Sequence, residues 1–119
     1  MRMLKEAILN FAMGEKIKTL LICLIETGKL LNPPDPGERK GAVAVFKLQL
    51  NLAAREIHLA GVFSKASSWR ECEKHMDMAI VMAESGVPEE SAFHLAQALS
   101  QVTTVLNQSM KFLKSEHLI

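Results

Sequence analysis

Three histidines offer the first hint of chemistry in this chain. His58, His75 and His94 fall on three successive helical stretches, and Glu71–His75 and Glu90–His94 are spaced four residues apart, which puts each pair on one helix face. Cys72 stands close to the first pair. Imidazole, carboxylate and thiolate hold zinc and related metals, and a helical bundle can gather them from facing helices. A metal-binding bundle using His58, Glu71 and His75 is therefore one reading. A carboxylate-bridged di-iron centre needs Glu-x-x-His on two helices, and that spacing does not occur here. Boundary histidines with solvated acidic neighbours account for the same pattern, so no metal or cofactor is expected.

The run Arg70-Glu71-Cys72-Glu73-Lys74-His75 points to a different chemistry. An Arg, four residues and then a His resembles the signature of HEPN-type ribonucleases, small all-helical domains that commonly dimerise. The resemblance covers six residues of 119. It implies that Arg70 would steady a phosphate of the RNA backbone and that His75 would assist proton transfer at a dimer cleft. Glu71 would be the polar residue that usually follows the Arg.

Other signatures are missing. Gly37-Glu38-Arg39-Lys40-Gly41 is basic and bounded by glycines, but no strand precedes it and it lacks phosphate-loop spacing. It reads as a helix start after a proline turn. There is no Cys-x-x-Cys, no Gly-x-Ser-x-Gly and no His-Glu-x-x-His. Met76, Met78, Met82 and Met110 could line an adaptable groove, although at helical spacing they read as core.

Charge narrows the classes further. Fourteen Lys and Arg face thirteen Asp and Glu, a net charge of +1, and the two signs alternate along the chain. Nucleic-acid binders show a basic patch or stripe, because phosphate contacts supply most of their affinity; none is visible in the sequence, which argues against such a partner. No apolar run exceeds six residues, Leu20-Leu21-Ile22-Cys23-Leu24-Ile25 being one of that length, far short of the ~18 residues a membrane span needs. Two cysteines in a chain long enough to build its own core read as free thiols. With no signal-peptide pattern at the start, the expectation is a cytoplasmic protein that does not enter membranes.

The elements that must position these residues are four helices. Half the chain is apolar (49%), with five Phe, one Trp and no Tyr, a composition suited to helix-on-helix packing. Asn32 to Gly37, Ser64 to Ser68, and Ser85 to Pro88 punctuate it. The spacing predicts helices over about 3–31, 38–63, 69–84 and 88–114, within one domain spanning 1–119. Prolines 33, 34 and 36 stop the first, Ser68 and Glu71 form a capping box for the third, and Gly86 ends it. Short connections predict an all-α, up-down four-helix bundle in which the third helix is the short one.

The second helix carries two apolar stripes. Val43, Phe46, Leu50, Ala53, Ile57 and Ala60 form one; Val45, Leu48, Leu52, Leu59 and Val62 form the other. Two stripes on one helix demand a second partner. The leading reading is therefore a non-enzymatic interaction module that self-associates, as a homodimer, or holds another helical protein, through Leu20, Leu24, Leu48, Leu52 and Leu59. The HEPN-like ribonuclease (Arg70, His75) and the metal-binding bundle are the alternatives.

Overall fold

The computed structural model describes residues 2–32 and 35–119. It contains α1 (Arg2–Gly28), α2 (Pro36–Phe63), α3 (Ser68–Glu84) and α4 (Ser91–Ser115), with a single 3-10 turn at Pro88–Glu90 before α4. The helices run up and down in order around a four-helix bundle of 54 × 22 × 18 Å. Helix α4 packs along α1 and α3, and α2 packs on α3 and α1. At 17 residues α3 is the short member, against 25 to 28 for the others.

The ends of these helices follow from local chemistry. Asp35 accepts the Glu38 N–H at 3.2 Å, and Pro36 occupies the first turn of α2, where its missing N–H costs nothing. Pro36 thus opens α2 as well as ending the turn before it; the roles expected of prolines 33 and 34 lie outside the described residues. Gly28 ends α1, and the chain leaves through turns closed by Lys29 and Leu30 N–H groups. The capping box expected at Ser68 and Glu71 does not form. Ser67 is the N-cap, in a helical conformation with no side-chain bond to the helix, and the Glu71 carboxylate accepts from Lys74 instead. Gly86, at φ +84°, closes α3: its N–H bonds to Ala83 and that of Val87 to Met82, a double closure that needs a left-handed residue. The same geometry ends α4 with His117 at φ 59°.

One continuous core runs through the bundle, from Ile17, Leu21 and Leu24 of α1 to Leu95, Ala98, Val102 and Leu106 of α4. On α2 the inner stripe is buried at Phe46, Leu50, Ala53, Ile57 and Ala60, with Val43 half-buried at its end. Trp69 is fully buried, and its indole N–H donates to Asn10 Oδ1 at 3.0 Å, tying the start of α3 to α1.

Cross-helix contacts set the levels. Lys16 pairs with Glu56 at 3.3 Å, Cys72 donates its thiol proton to the Ala98 carbonyl at 3.5 Å, and Gly14 faces Leu106. The α2–α3 turn consequently falls level with the second and third turns of α1. The turn lies beside Ser109 and Phe112 of α4, and past it the first turn of α1 and the last turn of α4 run on as a pair.

Candidate functional site

The second stripe of α2 faces outward. Val45 is 53% exposed, Leu48 62%, Leu52 48%, Leu59 40% and Val62 62%. These positions step by three and four residues, and the one gap in the series is filled by Arg55, itself exposed. On one side the Lys16–Glu56 ion pair joins α2 to α1; on the other, His58 Nδ1 meets Glu73 Oε1 at 2.8 Å and Lys47 meets Glu84 at 3.8 Å, joining α2 to α3. An apolar line between two charged margins has the anatomy of an interface centre and its rim.

Of the residues expected at such a face, Leu48, Leu52 and Leu59 lie on it. Leu20 is half-buried at the α1 edge. Leu24 does not belong: at 2% exposure it is in the core, because it follows Leu21 by three residues and shares its inward face. Val45 and Val62 complete the line.

The metal trio does not assemble. His58 turns to Glu73, Glu71 to Lys74, and among the described residues no three His, Cys, Asp or Glu side chains form a group that could hold a metal ion. His94 packs edge-on against the Phe93 ring, with centroids 5.4 Å apart. Arg70 and His75 are five residues apart, about 140° round the helix. Arg70 is exposed and lines a cleft with Lys65 and Ser67 at the α2–α3 turn; His75 is half-buried and lies outside that cleft.

Cys72, between them, is fully buried. Burial, with the Glu73 carboxylate adding to it, pushes its thiol up from an ordinary 9.0 to about 12, so the sulfur is held protonated and unreactive. Cys23 is exposed. Of the four methionines that could have lined a groove, Met76 is core, Met82 and Met110 are half-buried and Met78 is exposed.

A second feature gave no signal in the sequence. Where the α2–α3 turn stops short of the projecting α1–α4 pair, a cleft of about 370 Å³ opens between Glu6, Ala7 and Asn10 of α1, the turn at Lys65 and Ala66, and Ser109 and Phe112 of α4. Asn10 is 9% exposed and Ser109 4%. Both polar side chains are therefore built into its floor.

No protein-family model, no curated protein and no solved structure matches this chain. No helix among the described residues is long and apolar enough to cross a membrane.

Proposed function

We propose that the protein is a non-enzymatic helical module that pairs with a second copy of itself through the outer face of α2. The observation that supports this is the exposed line Val45, Leu48, Leu52, Leu59 and Val62, at coiled-coil spacing with one break at Arg55, and bounded by the Lys16–Glu56 and Lys47–Glu84 ion pairs.

The line is symmetric about its own midpoint. A two-fold axis between residues 53 and 54 would set Val45 against Val62 of the second copy, Leu48 against Leu59, and Leu52 against the aliphatic stem of Arg55. A self-complementary surface of this kind suits an isologous dimer. Ten partly exposed aliphatic side chains would contribute on the order of 10 kcal/mol of burial, set against an association cost of about 4–15 kcal/mol. The dimer is accordingly concentration-dependent, not permanent.

Light scattering coupled to size-exclusion chromatography over a concentration series tests this. The wild type should pass from monomer to dimer, Leu52→Glu should remain monomeric with its helical circular dichroism intact, and Arg55→Leu should shift the transition to lower concentration. A wild type that stays monomeric throughout, or a Leu52→Glu variant that still dimerises, overturns the proposal. A monomer would direct the search to a partner helix of another protein.

A further inference from the structure

We infer that the cleft between the α2–α3 turn and the projecting ends of α1 and α4 is a binding site for a small zwitterion of the α-amino-acid class. The inference does not depend on self-association, since the cleft lies at the end of the bundle and not on the outer face of α2.

The orientation of Asn10 carries most of the case. An indole N–H can only donate, so the atom of Asn10 that meets Trp69 at 3.0 Å is the amide oxygen. The Asn10 NH₂ group, with two donors, is left for the cleft. It makes no hydrogen bond among the described residues, and neither it nor the Ser109 hydroxyl is sealed from solvent without a partner. A polar side chain nine-tenths buried, locked at one end by the only tryptophan, has its rotamer fixed before any ligand arrives. Fixed orientation is what a recognition site requires.

The charges around that floor are of both signs. Lys65, exposed on the turn, makes no ion pair among the described residues. It lines the cleft together with the Glu6 carboxylate. Donors at Asn10, Ser109 and Lys65 suit a carboxylate, whose oxygens only accept; Glu6 suits an ammonium group. Met3, Ala7 and Phe112 add apolar wall for a side chain. A volume of about 370 Å³ is at the small end of the ~300–1,000 Å³ range of ligand pockets and matches a small molecule.

The single Trp69 makes the test direct, because its indole N–H gives one nitrogen–proton resonance and touches the proposed site through Asn10. Uniformly labelled protein is titrated with alanine, valine, leucine and methionine, and separately with 4-methylpentanoate and 3-methylbutylamine, which lack the ammonium and the carboxylate of leucine respectively. At least one amino acid should move the resonance saturably, and each truncated analogue of leucine should bind at least about tenfold more weakly than leucine, as expected for loss of a charge-assisted hydrogen bond. Lys65→Met, an exposed change that leaves the fold alone, should weaken amino-acid binding by a similar factor. Ser109→Val, which fills the floor, should abolish it. No saturable shift with any of the four amino acids up to about 10 mM overturns the inference. So does binding of 4-methylpentanoate as tight as leucine, or amino-acid binding unchanged in Lys65→Met.

Discussion

Gly14 of α1 lies so close to Leu106 of α4 that a methyl group in place of its hydrogen would meet Leu106 Cδ2 at 2.7 Å and Cγ at 2.9 Å. Leu106 is itself in the core at 3% exposure and has little room to retreat. Gly41, on the exposed side of α2, has nothing within 4 Å of the same position. The two helical glycines should therefore respond to alanine with opposite signs. Gly41→Ala should stabilise by about 0.5–1 kcal/mol through helix propensity alone. Gly14→Ala gains the same propensity, but overpacking at about 1–3 kcal/mol outweighs it and the net change is a loss. Chemical denaturation of both variants checks this, and stabilisation by Gly14→Ala would show that α1 and α4 are not in tight contact.

The two cysteines, one exposed and one buried, should react very differently. In native protein a thiol reagent at pH 8 should modify Cys23 and leave Cys72 untouched until the protein is unfolded, giving one thiol and then two. Cys72 has its folded value raised above its unfolded one, so its contribution to stability is fully present below pH 9 and is lost as pH rises from there toward about 12. The slope in that window is on the order of 1.4 kcal/mol per pH unit. Cys72→Ala should remove this alkaline component from the stability profile; an unaltered profile would place the cause elsewhere.

Arg39 ties three parts of the bundle's closed end together. One guanidinium nitrogen donates to the Leu31 carbonyl at 2.8 Å and to Asn32 Oδ1 at 3.0 Å, and the other pairs with Glu89 in the 3-10 turn. The Glu89 carboxyl is held below its usual range, first by a hydrogen bond from its own backbone and then by Arg39. A lysine ammonium cannot span these partners in the same fork. Arg39→Lys should cost about 1–2 kcal/mol, mainly by orphaning the Leu31 carbonyl, whereas Glu89→Gln should cost under about 1 kcal/mol because that pair is solvent-screened. Equal losses in the two variants would mean the ion pair, not the carbonyl contact, does the holding.

Gln49 has an amide oxygen that is buried and unbonded among the described residues. Methionine matches its length without a polar atom to satisfy. Gln49→Met should raise stability by about 1 kcal/mol, read from the denaturation midpoint, and a destabilised variant would indicate a partner for that oxygen.

Much of the bundle was legible because helical spacing survives in the residues that pack. Phe46, Leu50, Ala53, Ile57 and Ala60 read as one stripe and are buried as one. Failures occurred where spacing carries no phase. In the unbroken run from Leu20 to Ile25 every position is apolar, so only the neighbours α1 meets decide that Leu24 is inside while Ile22 and Cys23 are out. Ser68 and Glu71 had the right separation for a capping box, but the chain enters α3 already helical at Ser67, which leaves the box no extended residue to form on. Asn10 was invisible for another reason. Its role depends on Trp69, 59 residues away, and the only local signal was that a lone buried indole must find an acceptor somewhere.

The projecting pair formed by the first turns of α1 and the last turns of α4 has a bearing on how the molecule breathes. Helices held by one neighbour open at lower free energy than those held by two. Backbone amides near residues 3–8 and 110–115 should thus exchange with solvent through local fraying, while those around Trp69 and Val102 wait for the whole molecule to unfold. Asn10 marks the seam between these regimes, so whatever settles in the cleft above it would close the fraying end and be read out as slowed exchange at both of those helix ends at once.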